Sequence, residues 1–191
     1  GKVVFTTLKL ANAPYLPLKI YKDLPTDPLS TLTSAMSKMQ DGEGAVIQYL
    51  ITPTNDKWKH AGRSYISNVK KRESNPEMAK YTTDARFLES LDNKCSKPGF
   101  STIIRIVVCG KDMMSAKMHL ENIKGAFEQF SSETNHFKKA RNFFKKTFMI
   151  DFIYRYQPIF AGKSILNTEE LATVFHFPNK SVETPHIFWL N

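Results

Sequence analysis

Residues Ile103-Ile104-Arg105-Ile106-Val107-Val108 carry β-branched side chains at every position but one. Branching at Cβ costs rotamer freedom in a helix and packs well on a pleated surface, so the run predicts a strand. Its near-continuous apolar character predicts burial on both faces and a central place in a sheet. The rest of the chain has to be built around that strand.

Upstream, residues 3–10 and 17–21 read as strand, broken by Asn12, Pro14 and Pro17, because proline cannot donate inside a ladder. Asp27-Pro28 predicts a helix start, with Asp27 as N-cap and Pro28 in the first helical position. Leu29, Leu32, Met36 and Met39 then recur on one helical face until Asp41-Gly42. Residues 45–51 follow as a strand that ends at Pro53. Asp56 predicts a second helix with Trp58, Ala61, Tyr65 and Val69 on its inner face. Asn75-Pro76 predicts a third, reaching about residue 93, and residues 94–99 read as a turn.

Beyond the central strand, Asp112 predicts a cap for a long helix that buries Ala116, Leu120, Ile123, Phe127 and Phe130. Residues 135–146 read as another amphipathic helix and 148–156 as a last aromatic strand. The order strand, helix, strand, helical insert, strand, helix, strand predicts an α+β fold. Two split βαβ units then build a ferredoxin-like sheet with helices packed on one face. We expect one main domain over residues 1–164, followed by a capped helix and linker over 165–191. Asn167 with Glu170 three residues later has the form of a capping box, and Pro178 ends that helix.

The chain has 191 residues, 41% hydrophobic and 24% charged, which fits a globular protein with a real core. No apolar run approaches the roughly 20 residues that cross a bilayer. The sequence opens on Gly1 and enters a strand at once, so we expect a trimmed start with natural sequence upstream. Cys95 and Cys109 allow one bridge or two free thiols; the second suits a cytoplasmic protein, and neither makes a disulfide framework.

The sequence shows little that would do chemistry. Gly162-Lys163-Ser164 resembles the tail of a P-loop, but that loop needs glycine five residues before Gly162, where Gln157 stands, followed by Pro158. His60, His119, His136, His176 and His186 show no zincin-like spacing, and His176 reads as the residue that ends the last helix. No serine sits in a nucleophile elbow and no carboxylate pair stands out. We therefore expect no enzyme, no cofactor and no metal in this stretch.

The strongest local signal is basic. Lys and Arg number 27 against 18 Asp and Glu, a net charge of +9. Lys138, Lys139, Arg141, Lys145 and Lys146 surround Phe143 and Phe144. On a helix, Phe137, Phe144 and Phe148 would face the core, while Lys138, Arg141 and Lys145 share another face. Such a face can grip nucleic-acid phosphates without sequence preference, lie on an anionic membrane surface, or simply face water. Lys70, Lys71 and Arg72 form a second, weaker patch.

The stretch from Leu166 to Pro178, followed by Val182-Glu183-Thr184-Pro185, resembles a family of conjugation or type IV secretion-like ATPases of candidate-phyla bacteria such as the Saccharibacteria. Leu18 to Asp23 leading to Asp27-Pro28-Leu29, Glu43 to Pro53 with Trp58, and Gly99-Phe100 through Val108 resemble the same family. The likeness covers nearly the whole chain, on structural rather than catalytic motifs. It implies an accessory region that follows membrane-associated sequence and precedes a FtsK/HerA-type P-loop motor. The implied partners are the downstream ATPase domain of the same chain and other copies through the parent protein, while DNA or an anionic membrane surface is the partner expected from the basic residues. The implied location is the cytoplasmic face of the membrane.

Overall fold

The β-branched run becomes the middle of β3 (Gly99–Gly110) in the computed structural model, which describes residues 1–75, 83–141, 144–157 and 164–177. Ile103, Ile104, Ile106 and Val108 are all buried, as a strand covered on both faces requires. On one side β3 pairs antiparallel with β2 (Gly44–Pro53). On the other it pairs with β1 (Lys2–Leu10), and β1 pairs in turn with the short β4 (Phe137–Lys139). The order β2-β3-β1-β4, with every neighbour antiparallel, is the ferredoxin-like arrangement of two interleaved split βαβ units. A fifth strand, β5 (Ser164–Asn167), pairs with β3 over Gly99–Thr102. It takes up β3 just below the point where β1 leaves it at Leu8↔Ile104.

Helices α1 (Pro28–Met36) and α4 (Met113–Ala126) form the layer on one sheet face. Asp27 caps α1 by accepting from the Leu29 N–H, with Pro28 in the first turn, and Asp112 caps α4 by accepting from the Ser115 N–H. Leu8, Leu10, Leu32, Ile104, Ile106, Val108, Leu120, Ile123, Phe127 and Phe130 meet between the layers. Burying each large apolar side chain is worth roughly 1.5–3 kcal/mol, so this layer dominates the stability. Gly110 lets α4 come close, since a Cβ there would lie 2.5 Å from the Ala116 nitrogen.

Between β2 and β3 the chain inserts a helical pair, α2 (Lys57–Glu73) and α3 (Ala85–Ser96). Trp58 of α2 lies under Gly99, whose added Cβ would meet the indole at 2.5 Å. Helix α6 (Thr168–Val174) carries the expected capping box, with Asn167 accepting from the Glu170 N–H and Glu170 from the Asn167 N–H.

Several local expectations are corrected. Residues 17–21 form no strand. Leu18 and Tyr21 instead donate their N–H groups to the side chains of Glu170 and Thr173, and residues 21–23 make one 3-10 turn. The inner face of α2 is Trp58, Gly62 and Ile66, one position round from the expected stripe. At Gly62 the lack of a side chain admits Tyr15 and Cys95. Asp84 caps α3, which runs on to Ser96 through the expected turn because Lys94 is anchored inside. Pro76, expected to begin that helix, lies outside the described residues.

The largest correction concerns residues 135–156. The expected helix is the strand β4, and the expected strand is the helix α5 (Lys145–Ile153). The boundary expected after residue 164 falls inside β5, whose Leu166 is buried in the same core as Leu8.

Candidate functional site

The pairing registers put Phe5 and Thr7 of β1, Val46, Gln48 and Leu50 of β2, and Ile103, Arg105 and Val107 of β3 on the sheet face away from α1 and α4. Helix α5 lies on this face. Phe148 stacks on Phe5 with ring centroids 4.0 Å apart and planes 19° from parallel. Phe152 stacks in turn on Phe148, and the Gln48 side-chain amide donates to the Phe152 carbonyl at 3.0 Å.

Arg105 holds the end of the helix. Its side chain is buried, and its Nη1 donates to Gln48 Oε1 and to the Asp151 carbonyl, both at 2.9 Å. Nη2 donates to the Tyr156 carbonyl at 2.5 Å. Burial holds the guanidinium below its usual pKa, and the charge of Asp151 opposes that shift. An arginine stays protonated in such a place, so a positive charge sits at the negative end of the α5 dipole. The helix ends in a Schellman motif: Tyr156 N–H returns to the Asp151 carbonyl and Arg155 N–H to the Phe152 carbonyl, with Arg155 at φ 58°.

The outer side of α5 has no apolar cover among the described residues. Ile153 and Tyr154 are 63% and 64% exposed, with Phe144, Ile150 and Tyr156 also out in solvent. Lys145 and Lys146 occupy the first turn, where cations oppose the helix dipole, and Phe144 supplies no side-chain cap. Between residues 138 and 156 six cations face one carboxylate, Asp151. Apolar, aromatic and basic groups thus share one surface.

The five expected contact residues do not lie on one helix. Lys138 and Lys139 alternate on β4, Arg141 follows exposed, and only Lys145 and Lys146 are helical. Lys138 stands opposite Lys9 in the ladder, on the α5 side, whereas Lys139 stands opposite the core residue Leu8 and so belongs to the other face. The spacing that suggested a helix is a coincidence of composition. Lys70 and Lys71 lie exposed near the end of α2, lining an open groove of about 410 Å³ with Arg63, Ser67 and Asp92.

Sequence reasoning missed a polar cluster at the other end of the sheet. Glu43 lies just before β2, and its side chain is 2% exposed. It accepts from the Lys111 N–H at 3.0 Å, the Gln40 N–H at 3.1 Å, the Ser115 hydroxyl, and His119 Nε2 at 2.9 Å. These bonds, that of Ser115 first, hold the carboxyl down at about 2. His119 Nδ1 is buried without a partner among the described residues, which favours the tautomer protonated at Nε2. A cavity of about 350 Å³, lined also by Lys38, Met114 and Met118, opens beside the cluster. Ser115 gives its proton to Glu43 rather than to His119, so the three residues form a strut tying β2 to α4 and not a nucleophile–base pair. Their separations of 72 and 76 residues left no local signal.

Other expected features fall into place singly. Ser164 of the P-loop-like triplet is a strand residue whose Oγ accepts from the Leu10 N–H at 2.8 Å, while Gly162 and Lys163 lie outside the described residues. His176 Nε2 meets Asp27 Oδ1 at 2.9 Å, and His186 lies outside the described residues. Cys95 and Cys109 are both free thiols. No described helix is long and apolar enough to cross a membrane.

A family model described as Domain of unknown function (DUF8128) matches residues 2–190. Comparison with curated proteins and with solved structures finds no match.

Proposed function

The chain belongs to the DUF8128 family, and on that premise we propose that it is a non-catalytic assembly domain of a membrane-associated, DNA-translocating ATPase of the type IV secretion kind. The observation that carries the assembly part is the outer side of α5. A helix held at its end by a buried arginine offers Ile150, Ile153 and Tyr154 to solvent, beside Lys145 and Lys146. Exposed apolar groups gathered on one rigid element mark a contact surface, and the fixed helix lowers the entropy cost of docking. The motor itself is brought in by the likeness of residues 18–23 with 27–29, 43–53 with Trp58, 99–108, and 166–178 with 182–185 to the secretion-type ATPases.

The test is made in the parent protein. Ile150→Glu with Ile153→Glu is expected to abolish assembly of the subunits while leaving each motor able to hydrolyse ATP at its basal rate. Unchanged assembly would overturn the reading.

The lysines favour a second reading, a nucleic-acid module without sequence preference. Lys9 and Lys138 lie side by side on the sheet face that carries Lys145 and Lys146 at its helix entry. Like charges placed opposite one another destabilise a ladder unless an anion lies between them. Changing Lys138, Arg141 and Lys145 together to Glu is expected to abolish binding of a fluorescent oligonucleotide and flatten its salt slope. Absence of binding by the wild-type chain at low salt would reject this reading.

A further inference from the structure

Lys146, Ile150, Ile153 and Tyr154 follow one another at three- and four-residue steps, so they share the side of α5 opposite Phe148 and Phe152. Both ends of the helix are fastened to the sheet, by Phe148 on Phe5 and by Gln48 and Arg105 at the last turn. Its outer side is therefore presented as a level face. Phe144 before the helix and Tyr156 after it are exposed as well, and the rings of Tyr154 and Tyr156 stack with centroids 5.5 Å apart.

The charge around this face has one sign. Lys145 and Lys146 are exposed in the first turn and Arg155 is exposed after the last. Lys9 and Lys138 stand side by side on the same side of the sheet. The one carboxylate of the region, Asp151, is half-buried and its charge is directed to the buried Arg105. In sequence, Asn142-Phe143 and Pro158 to Lys163 add two phenylalanines, an isoleucine and a lysine, and no carboxylate.

We infer that the outer side of α5 docks on an anionic lipid surface. This rests on α5 being a contact surface, as proposed above, and names what it contacts. Chemistry separates the partners. A nucleic-acid backbone would engage the lysines and leave Ile150 and Ile153 in water. A protein partner would bury the isoleucines, but the centre of a protein interface is depleted in lysine, and Lys146 stands one turn from Ile150. A bilayer with acidic headgroups takes both. The isoleucine and aromatic tips enter the boundary between headgroups and acyl chains by roughly 5–10 Å, while the lysines reach back to the phosphates. Tyrosine suits that depth, with its ring in the apolar layer and its hydroxyl in water. The net charge of +9 draws the whole chain to such a surface. Copies that lie on one membrane share a plane, which favours their assembly.

Co-sedimentation of the 191-residue chain with vesicles tests it, using phosphatidylcholine alone and equal parts phosphatidylcholine and phosphatidylserine. Binding is expected to the acidic vesicles only, and to weaken as salt rises. Ile150→Ala with Ile153→Ala, both at exposed positions, is expected to lower the partition coefficient by about tenfold or more. Lys145→Glu with Lys146→Glu is expected to lower it by about thirtyfold or more. Spin-labelled lipid in acidic bicelles is expected to broaden the methyl signals of Ile150 and Ile153 in the wild type, and to spare Ile51, exposed on the opposite sheet face. No folding defect can mimic that contrast. A wild-type chain that ignores acidic vesicles at low salt, or binds them with Ile150 and Ile153 unbroadened, would overturn the inference. If that chain binds an oligonucleotide instead, indifferent to both alanines, the surface belongs to nucleic acid. Failure to bind vesicles, with assembly of the parent still lost on Ile150→Glu and Ile153→Glu, would overturn the lipid and leave the subunit contact standing. Vesicle binding with assembly intact would do the reverse.

Discussion

Lys94 Nζ lies 2.9 Å from Glu170 Oε2, with side chains only 2% and 1% exposed. Lys94 also donates to the Leu16 carbonyl at 3.0 Å, and Glu170 accepts from the N–H groups of Leu18 and Asn167. One ion pair therefore joins the helical insert, the loop after β1 and the start of α6. Removing one partner leaves the other charge buried and unpaired, at a cost of about 3–5 kcal/mol. Glu170→Gln is expected to destabilise by that amount in urea unfolding. Adding Lys94→Met removes the stranded charge, while the introduced amide keeps an acceptor for the backbone, and is expected to restore most of the loss.

Arg105 predicts a different failure. Its loss strands Gln48 and two carbonyls at the end of α5 rather than opening the core between sheet and α4. Arg105→Lys keeps the charge but not the fork, and one ammonium cannot reach three acceptors in the same way. The variant is expected to lose about 2–4 kcal/mol. Hydrogen exchange of α5 amides is expected to rise well above that of α4; equal loss in both helices would count against a local role.

Acid unfolding should report on Glu43. Its folded pKa is depressed from 4.5 to about 2, mainly by the Ser115 hydroxyl and the Lys111 and Gln40 N–H groups. A depressed carboxyl contributes stability fully above the unfolded value and loses it as pH falls through the folded one. The stability difference between wild type and Glu43→Gln is therefore expected to be constant above pH 4.5 and to shrink between there and about 2. Melting curves of both proteins across that window check it.

Arg155 stands at φ 58° in the turn that ends α5, a region that costs a side chain and not a glycine. Arg155→Gly is expected to raise stability by about 0.5–1 kcal/mol, read as a higher melting temperature.

What the sequence disclosed follows the range over which each cause acts. Asp27-Pro28, Asp112 and the Asn167–Glu170 box act within one turn, and each starts its helix where expected. The β-branched centre of β3 carries its own preference as well. Residues 145–153 do not, because Phe148 and Phe152 face the sheet while Ile150 and Ile153 face solvent, which leaves an apolar segment with no period. What decides for a helix there is the ring of Phe5 and the fork of Arg105, 143 and 46 residues away. The same reasoning explains the basic residues. Lys138 to Lys146 were visible as composition, but whether they line one face depended on a strand partner, Lys9, that composition does not reveal. The cluster at Glu43 is wholly of this long-range kind.

The place of β5 has a consequence for how the molecule is made. Leu166 fills the core against strands laid down at the very beginning of the chain, Ser164 holds the Leu10 amide, and Glu170 neutralises Lys94. During synthesis on the ribosome the first strand must wait for these residues to emerge, roughly ten seconds or more at ordinary elongation rates. For that interval Lys94 has no counter-charge and β3 is open below Ile104. Nascent chains stalled short of residue 164 should therefore bind chaperones, and the released 191-residue chain should not.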